Sequence, residues 1–334
     1  MFKPLLILFL FAISIPKFTI GQVKVIKNLV LEGGGMRGLA YAGALEVLDS
    51  AGVLQKIERV GGTSAGAIQA TLLAIGYTPK EMTEAIKNIP INQLNDGFVP
   101  TAIFRMKNKF GLFKGKKLYN WLDELIALKT GNADITFQQL QDQKKDKNYK
   151  DLYITGTDLM HRKLMVFSHE NFPDMQIKVA MRISFSIPLF YEPIYIDDNG
   201  KVVSRYGFEA NHLMVDGGLL ANYPIELFDS TKYINPEEEN KTIKNSETLG
   251  LLLDKPEFSN YAELETPLEI NNLRQYISAV YQTIIDKPNP ELTSSKRSLL
   301  ISHLNLSGRP RKLSNKTIQA LIESGRQGAR NFIK

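Results

Sequence analysis

The sequence predicts an α/β fold with a mostly parallel central sheet, and two observations carry that reading. Asn28 to Leu31 is a short apolar run of the kind buried on both faces of a parallel sheet. It passes through Glu32 and Gly33-Gly34-Gly35-Met36-Arg37-Gly38 into a helix-forming stretch, Leu39 to Leu48, closed by Gly52. The second observation repeats the pattern. Glu58-Arg59-Val60 is a strand candidate that enters Gly62-Thr63-Ser64-Ala65-Gly66, and Ala65 to Ile75 is rich in helix formers. Strand, tight loop and helix thus occur twice in succession, as α/β sheets require.

The remaining elements follow in order. Gly76 is placed to end the Ala65–Ile75 helix as a C′ residue. Thr78-Pro79-Lys80-Glu81 opens the next one with an N-cap, a proline at the first helical position and a glutamate that can cap in return. Lys117 to Leu128 reads as a helix; Leu164 to Phe167, Leu213 to Val215 and Leu249 to Leu253 read as strands. Leu299 to Leu304 is strand-like, and Leu273 to Ile285 and Ser314 to Ile333 read as helices, the last with Ser314 as N-cap. The polar stretch Gln141 to Lys150 reads as a loop or excursion rather than a linker between domains, and Asn235 to Glu247 is a second polar stretch. With 43% hydrophobic residues in 334, residues 22–334 are expected to bury one core as a single domain. The tail 229–334 is expected to pack on it.

The N-terminus reads as a targeting segment. Lys3 precedes an apolar run, Leu5 to Ile15, too short to span a bilayer but suited to a signal-peptide core. Thr19 and Gly21 offer small residues for cleavage before Gln22. The expectation is that residues 1–21 are removed on export, to a periplasmic, outer-membrane-associated or secreted location; an uncleaved anchor is the alternative. Removal would lower the net charge from +6 to about +4. The chain has no cysteine, which excludes disulfides and thiol catalysis.

Chemistry concentrates in three motifs. Gly62-Thr63-Ser64-Ala65-Gly66 is a Gly-x-Ser-x-Gly run between a strand and a helix, which exposes the serine hydroxyl on a sharp turn at a helix N-terminus. Such a serine is suited to attack an acyl carbonyl. The backbone N–H groups of Gly33 to Gly38 suit an anion, either a phosphate or a developing oxyanion. A dinucleotide site would want an acidic residue ending a second strand, but Asp49 falls in the tail of a helix. No Gly-Lys-Ser/Thr is present, which excludes a P-loop, so an oxyanion hole is the better reading. Asp216-Gly217-Gly218 follows the apolar run Leu213 to Val215, which would deliver Asp216 at the C-terminal end of a strand.

The four histidines, His161, His169, His212 and His303, do not supply a convincing base. Only His303 follows Asp216, and it sits in a strand-like run. An aspartate in a poorly solvated pocket can accept the serine proton directly, so Ser64 and Asp216 are expected to form a dyad. No His or carboxylate cluster shows metal-ligand spacing.

In this order and spacing, the glycine loop, Gly-Thr-Ser-Ala-Gly and Asp-Gly-Gly resemble the patatin-like phospholipase family. The resemblance covers roughly Lys27 to Phe228. It implies a three-layer α/β/α fold, a nucleophile at Ser64 with Asp216 as proton acceptor, and no metal or other cofactor. It also implies an oxyanion hole at Gly34, Gly35 and their neighbours, with Arg37 at the family's basic position. Gly111-Leu112-Phe113-Lys114-Gly115 and Ala180 to Pro193 match the family more loosely.

Residues 104–117 interleave Arg105, Lys107, Lys109, Lys114, Lys116 and Lys117 with Phe104, Phe110, Leu112 and Phe113. Such a segment suits anionic lipid headgroups, with aromatics in the interface; the alternative is a solvated loop. No motif supports nucleic-acid binding. The expected function is hydrolysis of fatty-acyl esters of lipids, with phospholipids among the substrates, through an acyl-enzyme. The alternatives are a general carboxylesterase or thioesterase on the same dyad and a catalytically silent lipid-binding protein.

Overall fold

The computed structural model describes residues 25–87, 89, 96–97, 101–207, 209–254, 270–286, 296–308 and 311–334. The expected targeting segment, 1–21, lies outside the described residues. No helix among them is long and apolar enough to cross a membrane.

The strands are β1 (Asn28–Leu31), β2 (Arg59–Gly62), β3 (Gly111–Phe113), β4 (Asp151–Asp158), β5 (Lys163–Phe167), β6 (Leu189–Tyr191), β7 (Ile194–Ile196), β8 (His212–Asp216), β9 (Thr248–Asp254) and β10 (Ser298–Ser302). The main sheet runs in the order β10-β9-β1-β2-β4-β8-β7, with β5 paired to β4. From β10 through β4 every neighbour is parallel, and the pairs β4–β8, β8–β7 and β4–β5 are antiparallel. β3 and β6 form a separate parallel pair.

Side chains alternate across this sheet with the two-residue strand period. Leu29, Leu31, Leu152, Ile154, Leu249 and Leu251 join the large apolar core, together with residues of α1 (Ala40–Ser50) and α2 (Ala65–Ala74). Val30, Tyr153 and Leu252 point the other way, into a smaller cluster closed by Tyr223, Ile225, Phe228 and Tyr233. The second face is therefore covered by the short 3-10 turns Ile225–Phe228 and Thr231–Tyr233. Three layers result, of unequal thickness.

Local signals in the sequence meet their structural counterparts. Gly76 takes φ 87°, while the Tyr77 amide donates to Leu72 O at 3.0 Å, closing α2. Thr78 and Glu81 form a reciprocal cap at the start of α3 (Pro79–Lys87). Two expectations need correction. Gln141 to Lys150, expected as a loop or excursion, is largely helical: it carries the end of the helix Phe137–Asp142 and the helical turn Lys144–Lys147. β8 does bring Asp216 to its C-terminal end, but it runs antiparallel to β4, pairing Asp216 with Gly156. The carboxylate thus descends from the sheet edge and stops near the level where β2 ends at Gly62, which pairs with Ile154.

Among the remaining helices, α4 (Ala102–Lys109), α5 (Lys116–Thr130), α6 (Ile177–Ser184), α7 (Leu273–Ile285) and α8 (Asn315–Ile333), the last is tied most closely to the core. Ser314 caps it by accepting the Thr317 amide at 3.1 Å. It meets α1 through two facing glycines. A Cβ on Gly325 would lie 1.9 Å from Ala40 O, and one on Gly43 1.8 Å from Ile322 O. Only bare backbone permits this approach. Gly325→Val is expected to lower the thermal midpoint by several degrees while leaving the far-UV spectrum unchanged well below that midpoint. Calorimetry of the two proteins checks it.

Candidate active site

The turn after β2 carries Ser64 at φ 54° and ψ −121°, a backbone state that non-glycine residues rarely adopt. Glycines on either side make room for it. A Cβ on Gly62 would lie 2.6 Å from Gly66 C, and one on Gly66 2.3 Å from Leu31 O. The Ser64 amide donates to Ser184 Oγ at 2.8 Å. Thr63 is anchored through its hydroxyl to Thr155 Oγ1 at 2.6 Å and Ala221 O at 2.8 Å.

The Ser64 hydroxyl faces the Asp216 carboxylate, which is fully buried. Burial pushes the Asp216 pKa up to about 7, against the Gly218 amide, which donates to Oδ1 at 2.8 Å, and the Ser64 and Tyr281 hydroxyls, which favour the charged form. Oδ2 has no hydrogen-bond partner of ordinary length and angle. Gly217 and Gly218 are needed for space rather than for a turn. Gly217 has φ −63°, but a Cβ on it would lie 2.4 Å from Thr155 Oγ1.

The glycine loop is narrower in its offer than its sequence suggests. The Gly33 amide donates to Asn222 O, the Met36 amide to Gly308 O and the Arg37 amide to Gly34 O. Gly38 lies within the 3-10 turn Gly35–Leu39. Among the described residues the amides of Gly34 and Gly35 have no hydrogen-bond partner, and they line a cleft together with Ser64. Arg37 is not a free anion ligand. It is buried, with its guanidinium on Asp286 Oδ1 at 2.7 Å and on Gly34 O at 3.2 Å, so it braces the loop from behind.

Gly35 and Phe185 are shared by this cleft and a second, apolar one. Leu39, Ile68, Ile86, Leu118 and Trp121 line the latter.

A profile of the family described as patatin-like phospholipase matches residues 29–229. The chain belongs to the patatin-like phospholipase family. It is an enzyme of that class. The uncharacterized protein R571 of Acanthamoeba polyphaga mimivirus is 31% identical, over 90% of this chain and 91% of its own. A probable lipid hydrolase, 463L of Invertebrate iridescent virus 6, is 30% identical over 66% of this chain and 68% of its own. The crystal structure of VipD from Legionella pneumophila superposes with a TM-score of 0.56, at 16% identity, over 92% of this chain and 67% of that one; this likeness concerns the fold.

Sequence reasoning missed several residues that the patatin-like fold brings to the site. Asn222 donates to Gly33 O and Glu32 Oε1, both at 3.0 Å, and Glu32 Oε2 accepts the Leu253 amide at 2.8 Å. Burial pushes the Glu32 carboxyl up to about 8, with Arg37 opposing. Tyr281 comes from α7, outside the matched region. None of these sits in a motif, so no local signal marked them. The fold also gathers Asp158, His161 and His212, which spacing had not suggested: both histidines place Nδ1 on Asp158 Oδ2, at 2.6 and 2.7 Å. They join the β4–β5 turn to β8 through hydrogen bonds. His303 lies buried just past β10, with β9 and β1 between that strand and β2.

The raised Asp216 pKa has a consequence for stability. The folded protein holds this proton up to about pH 7, whereas the unfolded chain loses it near pH 4. The site's contribution is therefore most favourable below about pH 4 and worsens as pH rises to about 7. Asp216→Asn is expected to raise the unfolding free energy at pH 8 by up to a few kcal/mol, and by much less at pH 4. Paired denaturant titrations at the two pH values check it.

Proposed function

We propose that the chain hydrolyses fatty-acyl esters of lipids, with Ser64 as nucleophile and Asp216 as proton acceptor. The observation that carries this reading is the strained Ser64 turn, facing a buried carboxylate whose pKa lies near neutrality. Ionised Asp216 takes the hydroxyl proton as Oγ attacks the ester carbonyl. The carbonyl oxygen gains negative charge where the Gly34 and Gly35 amides are open, and such fixed donors supply a large share of acyl-transfer catalysis. The alcohol leaves with the proton, and an acyl-Ser64 ester remains. Water then repeats the sequence, again with Asp216 as base. The apolar cleft that meets the site at Gly35 and Phe185 supports a long acyl chain over a small acetyl-type group. The similarity to the probable lipid hydrolase of the iridescent virus supports the same substrate class.

Membrane contact through residues 104–117 belongs to this proposal in a reduced form. Phe104, Lys107, Lys109, Phe110, Lys114, Lys116 and Lys117 are exposed. Arg105 and Leu112 are buried, the former against Glu192 at 3.6 Å, and Phe113 packs on Phe190 with ring centroids 5.0 Å apart. Arg205 lies over the Phe110 ring at 4.3 Å and so adds a cation to the exposed group. Export by residues 1–21 is likewise part of the proposal and rests on the sequence reading above.

Two measurements test it. Ser64→Ala should keep the fold and lose hydrolysis of a phospholipid and of a short soluble ester by about three orders of magnitude or more. Substantial hydrolysis by the folded variant would remove Ser64 from its role. For the membrane, charge reversal of Lys114, Lys116 and Lys117 together with Phe104→Ser should weaken binding to anionic vesicles in low salt. Turnover of the soluble ester should stay within about twofold, because the variant leaves the site untouched. Equal loss on both substrates would assign the segment to the fold instead.

A further inference from the structure

Three buried polar atoms without a hydrogen-bond partner of ordinary length and angle gather beside Ser64: Asp216 Oδ2, Asn222 Oδ1 and Tyr281 Oη, the last near enough to Asp216 to favour its charged form. Gly218 shows how closely they gather. A Cβ built on it would lie 2.6 Å from Tyr281 Oη, 3.1 Å from Asn222 Oδ1 and 3.2 Å from Asp216 Oδ1. Asn222 Oδ1 also lies 2.4 Å from where a Cβ on Gly33 would sit, and that same point is 3.3 Å from Ser64 Cβ. The group therefore spans the space between the glycine loop, the serine and the aspartate. Buried polar atoms that go unpaired cost free energy, so their convergence in one place calls for a ligand that satisfies them together.

We propose that Tyr281 is a further catalytic residue, which with Asn222 holds the water that releases the acyl group from Ser64. The inference rests on the Ser64–Asp216 reading above. Water has the matching valences: it donates one hydrogen to Asp216 Oδ2 and the other to Asn222 Oδ1, and accepts from the Tyr281 hydroxyl, which turns its single hydrogen from the carboxylate to the water. One lone pair stays free for the acyl carbon. As the new C–O bond forms, the water proton passes to Asp216. As the C–Oγ bond breaks, that proton passes to Ser64 Oγ and the fatty acid leaves.

The donor is held in place. Burial and the neighbouring Asp216 push the Tyr281 hydroxyl well above its ordinary pKa, so it stays protonated. Its helix is capped by Asn272, whose Oδ1 accepts the Gln275 amide at 3.0 Å. Gln282, the next residue, donates to Ser307 Oγ at 3.0 Å. Gly218 belongs to the same device, since any side chain there would meet the tyrosine hydroxyl.

The test separates acylation from deacylation in the full chain, with p-nitrophenyl butyrate in rapid mixing. Tyr281→Phe should form acyl-Ser64 at a rate within about threefold of the unaltered enzyme, while steady turnover falls roughly 10- to 100-fold. The acyl adduct should then accumulate, visible by intact mass and cleared by hydroxylamine. Labelling of Ser64 by a fluorophosphonate should remain stoichiometric, which shows that the site is folded. Gly218→Ala should give the same selective slowing from the other side of the group. Parallel loss of both steps, or no change in either, would overturn the assignment. An unaltered enzyme that labels at Ser64 but in which neither variant accumulates adduct overturns the water site alone. Absence of labelling in the unaltered enzyme overturns the dyad, and this inference with it.

Discussion

The site depends on one strained residue. At φ 54° and ψ −121°, Ser64 occupies backbone space that costs a non-glycine residue on the order of 1–3 kcal/mol. The surroundings leave it no alternative. α2 presses against the end of β1 so closely that a Cβ on Gly66 would meet the Leu31 and Glu32 carbonyl oxygens at 2.3 and 2.6 Å. The Ile68 amide takes Ser64 O at 3.2 Å and Ser184 takes the Ser64 amide. Relaxing the serine would lift α2 from β1, β2 and β4 and open the main core. The strain is thus held by packing energy collected across the sheet, and its result is a hydroxyl aimed at Asp216.

Two buried carboxyls serve the site, Asp216 facing that hydroxyl and Glu32 at the start of the glycine loop, and their surroundings divide the work between them. Desolvation raises both, Glu32 to about 8 and Asp216 to about 7. Glu32 spends its oxygens on Asn222 and Leu253, which stitch the glycine loop to neighbouring segments. Asp216 accepts one backbone hydrogen bond and keeps Oδ2 available. One carboxyl is structural because its lone pairs are occupied. The other suits chemistry because a lone pair is not. Local rules of polar satisfaction fail where function is expected to need them to fail.

The sequence was most legible where backbone geometry dictates residue type. Gly62, Gly66 and Gly76 announce their turns because no other residue fits, and Thr78 with Glu81 announces a helix start because the cap is local. β1 and β9 were legible as apolar runs, whereas β4, in which Asp151, Thr155 and Thr157 interrupt the apolar residues, was not. The direction of β8 was not, since an apolar run carries no polarity; only the pairing of Asp216 with Gly156 fixes it. Within 104–117, alternating basic and aromatic types look uniform in sequence, yet Arg105 turns inward to Glu192 while Phe104 stays out. Side-chain direction there follows from the α4–β3 junction, which composition does not encode. The Asp158–His161–His212 group escaped notice for the same reason: strand pairing, not spacing, makes it.

Long-range partners explain why the motif-bearing region is not the whole site. The family match ends at 229, but Leu253 supplies an amide to Glu32 and Asp286 holds Arg37. Gly308 O takes the Met36 amide, which confines the open donors to Gly34 and Gly35. These contacts come from the strand, helix and loop that follow the polar stretch 235–247. β9 and β10 extend the same sheet beyond β1, so these contacts arrive on a rigid frame rather than from a separate module. The motifs therefore define which atoms can react. The later part of the chain sets how many loop amides stay open, how the aspartate is solvated and which hydroxyl stands over it, so much of the site's environment is written in residues that carry no motif.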